Sequence, residues 1–385
     1  MQTVRVRVPA QPANYEIKIG RGVLADAGEL ARAALGAGAR RAAVISNKRV
    51  FDLFGNALLR TMRASKFQPT VWLMKDGEQH KSLSSLEQAL KFFRDSGLER
   101  NDVVIGLGGG VVGDLAGFAA ATYLRGIASV LVPTTLLAQI DASVGGKVGV
   151  NMAAGKNLVG AFHQPRMVLI DCDTLRTLPQ RELTAGWCEA VKHGAVGDRK
   201  LFERTVKMLQ KSGTDFSLWS ERESSQSEIC ANIAAHCRFK ASIVAGDERE
   251  ATSRNDARSR KILNFGHTTA HALETVTGYK RFRHGEAVGY GMLVAGAISK
   301  NLGMLTTTAL ESLRQAVRAC GPLPRADDIE IDRLIKATKS DKKSVAGSVK
   351  WVLLEEIGKA RIVDSREIKL RALREALREG LQPLR

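Results

Sequence analysis

The chain has 385 residues, enough for two domains, and its 44% hydrophobic and 25% charged residues are ordinary for a globular protein. It has no apolar run that could cross a membrane or form a signal core, so a cytoplasmic protein is predicted. The formal net charge of +18 is large, but basic residues are spread along the chain and aromatics make up only 5%, which disfavours nucleic-acid binding.

The first half of the chain alternates strand and helix signals. Strands are predicted at 3–8, 15–19, 42–46, 71–74, 102–110, 130–135 and 168–171, where apolar residues alternate with polar ones or run continuously. Helices are predicted between them at 25–37, 50–62, 83–94 and 115–123. Alternation with short links predicts an α/β fold with a parallel, doubly wound sheet.

A glycine-rich turn follows the strand predicted at 102–110. Gly108, Gly110 and Gly113 form a GxGxxG pattern that opens a helix of small residues. Backbone N–H groups in this setting can approach a pyrophosphate, so nucleotide binding is predicted, with tight packing as the alternative. No acid lies between residues 125 and 137, where a dinucleotide-binding motif usually carries one, so an ordinary Rossmann dehydrogenase is disfavoured.

The following segment carries groups suited to an anion. Thr134 and Thr135 end a predicted strand, a position that suits ligand contact. Lys147 and Lys156, each beside glycine, and Asn157 lie in a stretch predicted to be irregular, where flexible backbone lets ammonium groups converge. A solvated loop is the alternative.

Long helical patterns dominate from Thr177 onward, so a domain boundary is predicted near 173–179, which divides the chain into residues 1–175 and 176–385. In the first of these helices Glu189, Lys192 and His193 lie within one turn among apolar neighbours, and a buried carboxylate needs a cation or a metal. A surface Glu–Lys pair is the alternative. Helices are predicted at 181–194, 200–209, 221–245, 264–277, 287–302, 307–319, 331–339 and 366–380, with a hairpin at 349–354.

Three of the seven histidines lie within eighteen positions, at His267, His271 and His284. Asn264 is a suitable N-cap for a helix that places His267 and His271 one turn apart, with Glu274 near the same face. Apolar neighbours suggest burial, and buried imidazoles need a metal, a carboxylate or a ligand. The spacing is not that of a zincin, and the five cysteines form no CxxC pair, so a metal is plausible but its ligand set stays open. A solvated polar helix face is the alternative.

Together these motifs resemble the 3-dehydroquinate synthases, a family of sugar-phosphate cyclases, over nearly the whole chain. The resemblance implies a Rossmann-like α/β NAD-binding domain followed by a mainly helical, metal-binding domain. It also implies a carbon–oxygen lyase of the shikimate pathway, which converts 3-deoxy-D-arabino-heptulosonate 7-phosphate to 3-dehydroquinate and phosphate. Another cyclase, or a metal-dependent polyol dehydrogenase, is the alternative. The segments that carry the resemblance are 108–118, 133–147, 155–165, 189–192, 247–250, 260–271, 284–286 and 341–343.

The resemblance assigns roles position by position, for a small-molecule sugar phosphate substrate and a homodimeric enzyme. The metal, Zn²⁺ or Co²⁺, would be held by Glu189, His267 and His284. NAD would contact Glu78, Lys81, Gly109, Gly110, Asp114, Thr134, Thr135, Lys147, Lys156, Thr177 and Leu178. The substrate would contact Arg125, Asp141, Lys147, Lys156, Asn157, Lys192, Lys240, Arg260, Asn264, His271 and Lys342. Catalytic roles would fall to Lys147, Asn157, Lys192, Arg260, Asn264 and His271.

In the implied reaction, hydride transfer to NAD turns a secondary alcohol into a ketone and acidifies the neighbouring C–H, so phosphate can leave. The same cofactor then reduces the ketone, and ring opening with an intramolecular aldol step closes the carbocycle. Three features depart from the family pattern. Asn47 replaces an acid expected at the adenosine ribose, Trp187 and Cys188 precede Glu189, and a nine-residue stretch at 251–259 could displace Glu250.

Overall fold

The computed structural model describes residues 14–153, 155–213, 223–339 and 349–384, so the strand predicted at 3–8 and Lys342 lie outside the described residues. The strands are β1 (Glu16–Gly20), β2 (Arg41–Asn47), β3 (Gln68–Met74), β4 (Val103–Gly108), β5 (Ala128–Pro133), β6 (Lys147–Met152), β7 (Gly155–Phe162), β8 (Met167–Asp171), β9 (Lys350–Glu356) and β10 (Lys359–Asp364). The longer helices are α1 (Ala27–Leu35), α2 (Asn56–Ala64), α3 (Leu83–Asp95), α4 (Gly110–Thr122), α5 (Gln180–Gly197), α6 (Arg199–Ser212), α7 (Glu223–Gly246), α8 (His267–Val276), α9 (His284–Asn301), α10 (Thr307–Ala319), α11 (Ile331–Lys339) and α12 (Leu370–Gly380).

Six strands form one parallel sheet in the order β1-β8-β5-β4-β2-β3. β2 and β4 are buried along almost their whole length, as expected for central parallel strands covered on both faces. The chain runs from β2 outward to β3, then returns to β4 and continues to β5 and β8 on the other side. The predicted doubly wound sheet is therefore confirmed, and its strand order reverses beside β4, where such sheets bind ligands at their carboxyl edge.

A hairpin stands where an irregular stretch was predicted, so that prediction was wrong. β6 and β7, which lie between β5 and β8 in the sequence, pair with each other in an antiparallel manner and form a separate two-stranded sheet. These strands were hard to identify because they are rich in glycine, including Gly149 and Gly160, and glycine is uncommon inside strands. Lys147 opens β6 and Lys156 lies in β7, so the strand register positions both lysines.

The helix α9 lies at the centre of the second half of the chain and packs against α5, α8, α10, α12 and β9. A Cβ atom at Gly285 would lie 1.9 Å from the carbonyl oxygen of Ala185, and one at Gly291 would lie 2.0 Å from that of Gly266. Only glycine allows this approach of backbone to backbone. It brings the first turn of α9 against α5, and a later turn, at Gly291, against the residue that caps α8.

The predicted helices of the second half are present, but two of them begin at least three residues later than predicted. Asn264 is not the N-cap of α8, because residues Arg260–Asn264 form a 3₁₀ turn and Gly266, with φ 78°, caps the helix. The helix predicted at 366–380 begins at Leu370, since Asp364 caps a separate turn before it. Within the described ranges, no helix is both long enough and apolar enough to span a bilayer.

Candidate active site

The three residues predicted to bind a metal converge where α5, α8 and α9 meet. Glu189 lies in α5 and is fully buried, while His267 and His284 are the first residues of α8 and α9. One donor atom from each residue lies within 4.8 Å of the other two. Metal–ligand bonds to nitrogen and oxygen are about 2 Å long, so donors at this spacing can surround one ion.

The hydrogen bonding of these donors fits a divalent cation. Oε1 of Glu189 has no hydrogen-bond partner among the described residues and lies 3.7 Å from Nε2 of His284. Nδ1 of His267 lies 3.2 Å from the carbonyl oxygen of Phe265, and a hydrogen bond there leaves Nε2 available as a ligand. A buried carboxylate oxygen without a donor is costly, and a metal ion would satisfy it.

Glu274 stands behind His284, although the sequence assigned it no role. Its Oε2 lies 3.4 Å from Nδ1 of His284, and its Oε1 accepts a hydrogen bond of 2.9 Å from Nζ of Lys156. Burial opposes ionisation of Glu274, but His284 and then Lys156 outweigh it and hold the pKa of this carboxyl well below its ordinary value. A carboxylate behind a metal-binding imidazole orients the ring and raises its basicity. The helical spacing of His267, His271 and Glu274 was the available signal.

The two histidines of α8 belong to different groups. The rings of His267 and His271 lie 5.6 Å apart, so the predicted common face is confirmed. His271 groups with Glu274 and His284, whereas His267 groups with Glu189 and His284. The ring of His271 stacks on that of His284 at 6.0 Å. His271 therefore borders the candidate metal site beside His284 and belongs to a different donor group from Glu189.

A second buried cluster surrounds Asp141. The Lys192 ammonium group contacts Glu189 and lies 3.8 Å from Oδ2 of Asp141. Lys240 pairs with the same aspartate and donates a hydrogen bond of 2.7 Å to its carbonyl oxygen. Burial would raise the pKa of Asp141, but Lys240 and Lys192 outweigh it and hold that pKa well below its ordinary value. A divalent ion at Glu189 would leave this cluster positively charged, which suits an anionic ligand.

The stretch at 251–259 does not separate Glu250 from its neighbours. Glu250 contacts the Lys147 ammonium group and accepts a hydrogen bond of 3.4 Å from Nδ2 of Asn264. Arg260 is buried, and its Nη1 donates to the carbonyl oxygens of Gly145 at 2.9 Å and Glu248 at 2.7 Å. Glu250 therefore lies beside Lys147 and Asn264, two residues that the resemblance assigns to the substrate.

The predicted nucleotide-binding residues lie at the carboxyl edge of the sheet. Gly109 links β4 to Gly110, the first residue of α4. A Cβ atom at Gly109 would lie 3.0 Å from Cγ2 of Thr135, and the N–H of Thr134 donates to the carbonyl oxygen of Gly108 at 2.9 Å. The two glycines and two threonines therefore stand side by side at a helix N-terminus, where backbone N–H groups can bind a phosphate.

Lys81 joins these residues to the hairpin. Its ammonium group is buried and donates to Oδ2 of Asp114 at 2.8 Å and to Oδ1 of Asn157 at 2.7 Å, and it lies 3.2 Å from Oε1 of Glu78. Burial would lower the pKa of Lys81, but Asp114 and Glu78 raise it above its ordinary value. No role was predicted for Asn151 from the sequence. Its Nδ2 donates to Oε1 of Glu78 at 2.8 Å, and its Oδ1 accepts from the Asn157 N–H at 2.9 Å.

The remaining predicted residues are placed as follows. Thr177 and Leu178 follow β8, where Thr177 is exposed and Leu178 is half-buried. Arg125 is exposed in a turn after the C-terminal end of α4, about 20 Å along that helix from Gly110. Within one chain Arg125 therefore lies far from the other predicted residues, and its contact with the substrate stays a prediction.

The position of Asn47, where the resemblance predicts an acid, has an acid beside it. Asn47 donates to Oδ1 of Asp76 at 3.0 Å.

The family model described as "3-dehydroquinate synthase N-terminal" matches residues 71–185, and the one described as "3-dehydroquinate synthase C-terminal" matches residues 186–344. A 3-dehydroquinate synthase of Synechococcus sp. is 42% identical over 360 residues, 93% of each chain, and one of Microcystis aeruginosa is 40% identical over 352 residues, 91% of this chain and 92% of the relative. Among solved structures, a 2-epi-5-epi-valiolone synthase of Streptomyces hygroscopicus with bound NAD⁺ and Zn²⁺ is 26% identical with a TM-score of 0.83, over 97% of this chain and 98% of that one.

Proposed function

Because the chain belongs to the 3-dehydroquinate synthase family, we propose that it converts 3-deoxy-D-arabino-heptulosonate 7-phosphate to 3-dehydroquinate and phosphate. The observation that carries this assignment is the meeting of the Glu189, His267 and His284 donors with the buried ammonium group of Lys192. A divalent metal and a group of buried cations in one site suit a polyhydroxylated substrate that carries a phosphate and a carboxylate.

The family uses NAD and a divalent metal ion. The metal would be held by Glu189, His267 and His284, and we propose zinc, because two imidazoles and a carboxylate with a position left for substrate suit that ion. NAD would lie along the glycine-rich turn. When bound, NAD accepts and later returns a hydride, and the metal ion polarises the hydroxyl that is oxidised. NAD contacts are proposed for Glu78, Lys81, Gly109, Gly110, Asp114, Thr134, Thr135, Lys147, Lys156, Thr177 and Leu178.

The side chains of this protein would bind and orient the substrate. Cations hold the phosphate and the carboxylate, and the burial of Lys192, Lys240 and Arg260 strengthens their interactions by excluding water. His271 borders the metal site and is proposed to exchange a proton with a substrate hydroxyl at a ring nitrogen. Asn157 and Asn264 would donate hydrogen bonds to substrate oxygens, and Asp141 would keep two lysines in place. The phosphate- and carboxylate-binding residues proposed are Lys147, Lys156, Lys192, Lys240 and Arg260.

The cell compartment, the assembly and the domain boundary are further parts of the proposal. All five cysteines are free thiols, which supports a reducing compartment such as the cytoplasm. A homodimer is proposed on the family resemblance, and sedimentation equilibrium would measure the mass of the assembly. The boundary at 175/176 can be tested by expressing the two parts separately and measuring the folding of each.

The decisive experiment follows phosphate and dehydroquinate together after the heptulosonate phosphate, NAD and zinc are added to the purified protein. Equal amounts of both products, with no net NADH, are expected. A polyol dehydrogenase would instead accumulate NADH. Lys192→Met should abolish both products, whereas Lys200→Met, which changes an exposed lysine beyond α5, should leave the rate unchanged. Folded, metal-loaded protein that releases neither product would overturn the proposal.

A further inference from the structure

One carboxylate binds both ends of the stretch at 251–259. Asp247 follows α7 and is buried. Its Oδ1 accepts a hydrogen bond from the Ala251 N–H at 2.8 Å. Its Oδ2 accepts one from the Arg260 N–H at 2.9 Å and one from the Ser259 hydroxyl at 3.2 Å. The backbone just after Glu250 and the backbone of Arg260 are thus attached to the same side chain.

The stretch between these two ends closes on itself. Nζ of Lys261 donates to the carbonyl oxygens of Thr252 at 2.7 Å and Arg254 at 2.9 Å. Nε of Arg254 donates to Oδ2 of Asp256 at 3.1 Å, and its guanidinium group also contacts the carbonyl oxygen of Gly246. Most of its residues are exposed. The stretch is therefore a surface excursion whose two ends meet at Asp247.

Both ends lead directly into the candidate active site. Glu250 adopts φ 51°, a left-handed conformation that is strained for a residue other than glycine, and its carboxylate contacts Lys147 and Asn264. Arg260 directs its guanidinium group to the backbone of Gly145, two residues before Lys147. A shift of either backbone end would move a group proposed to bind substrate.

We propose that Asp247 is a positioning residue, which holds Glu250 and Arg260 in register for the reaction whatever the length of chain between them. The inference rests on the proposed function, because it concerns the geometry of that site. A longer loop costs more entropy to close, so a fixed anchor at its ends matters more when the link is long. A nine-residue link would then be tolerated beside the site because Asp247 isolates the site from it.

Burial would raise the pKa of Asp247. The hydrogen bonds that its carboxylate accepts from Ala251, Arg260 and Ser259 outweigh burial and lower that pKa, so Asp247 is ionised at neutral pH. Hydrogen bonds to an ionised acceptor are stronger than neutral ones. Asp247→Asn keeps the shape but has one acceptor oxygen in place of two, so it should break one end of the anchor. Asp247→Ala should break both.

The test compares Asp247→Ala and Asp247→Asn with Asp256→Ala, which removes an exposed acid from the same stretch. Asp247→Ala is expected to raise the KM for the heptulosonate phosphate at least tenfold and to lower kcat, with metal content and NAD affinity unchanged. Asp247→Asn should show a smaller effect, and Asp256→Ala none. Wild-type KM and kcat in folded Asp247→Ala would overturn the inference.

A deletion of residues 253–257 tests the loop directly. In the otherwise unchanged chain it should alter kcat and KM less than twofold, and in the Asp247→Ala chain it should recover part of the loss. A deletion as damaging as Asp247→Ala would refute the isolation of the site from the loop.

Hydrogen exchange provides a readout that does not need turnover. The amides of Ala251 and Arg260 should lose protection in Asp247→Ala and keep it in Asp256→Ala. Retained protection would also refute the inference. Lack of turnover by the wild-type protein would refute the proposed function instead, and the exchange result would still decide whether Asp247 anchors both ends.

Discussion

Nδ1 of His284 lies 3.4 Å from Oε2 of Glu274, while Nε2 of the same ring lies 3.7 Å from Oε1 of Glu189. The two ring nitrogens therefore face two different buried carboxylates. Glu189 shares the candidate metal site with His284, and Glu274 supports the ring from behind. This arrangement assigns Glu274 a task that can be measured separately from metal ligation.

Glu274→Gln should weaken metal binding without removing a ligand. The amide is nearly isosteric, but it gives His284 a weaker acceptor, so the ring is held less firmly and is less basic. Loss of such a partner typically costs about 10–100-fold in metal affinity. Competition with a chelator measures the affinity, and Glu311→Gln, an exposed acid in α10, is the control. Unchanged affinity in Glu274→Gln would contradict the support role.

Glu189→Ala and His271→Ala should separate binding from turnover. Glu189 belongs to the donor group with His267 and His284, so its loss should abolish stoichiometric metal binding. His271 lies beside that group, so His271→Ala should keep the metal and lower kcat. Metal content by mass spectrometry and single-turnover kinetics measure the two effects. A fully metal-loaded Glu189→Ala protein would show that the ligand set is wrong.

Asp141→Asn should lower stability at neutral pH and remove part of its acid dependence. The pKa of Asp141 is lower in the folded chain than the value of about 3.9 expected when unfolded, so its contribution is full above that value. It is lost as the pH falls through the folded-state pKa. Removing the charge leaves Lys192 and Lys240 buried with one partner fewer, a loss of about 3 kcal/mol. Urea unfolding at pH 7 and at pH 3 measures the difference, which should shrink at pH 3.

Gly285→Ala should disturb the metal site through the packing of helices. The new methyl group would lie 1.9 Å from the Ala185 carbonyl oxygen, so α9 must move away from α5. His284 would then move relative to Glu189, and both metal affinity and stability should fall, stability by about 1–3 kcal/mol. Gly38→Ala, where no atom lies within 4 Å of the new Cβ, is the control. Equal melting temperatures and metal contents in both variants would argue against this packing role.

Lys81→Met should weaken NAD binding. The substitution leaves Asp114 buried without its cation and breaks the contact of Lys81 with Asn157, so the wall of the proposed NAD site loses its link to the hairpin. A loss of at least tenfold in NADH affinity is expected, measured by fluorescence titration. Lys91→Met, which alters an exposed lysine of α3, should bind NADH as the wild type does. Identical affinities in the two variants would exclude this role.

Much of the architecture was predictable because it follows from local patterns. The continuous apolar runs of β2 and β4 and the period of α10 and α11 report burial directly, so their positions were predicted closely. The hairpin formed by β6 and β7 was not predicted, because the alternation of Val148, Val150 and Met152 is short and lies among glycines and polar residues that are also typical of a loop. The start of α8 was predicted wrongly because Asn264 has the chemistry of a cap, whereas tertiary packing gave that position to Gly266.

The candidate site divides in the same way. The sequence by itself determined which chemical groups are present, namely the imidazoles, the carboxylates, the buried lysines and the glycine-rich turn, and its motifs identified the family. The family resemblance also predicted that Glu189 groups with His267 and His284, and the structure brings these three together. Only the tertiary structure decided that Glu274 supports His284 and that Asp247 binds both ends of the stretch at 251–259. The reason is that helical spacing determines only which side chains share a face. Contacts between helices depend on how closely their backbones approach, as α9 approaches α5 at Gly285.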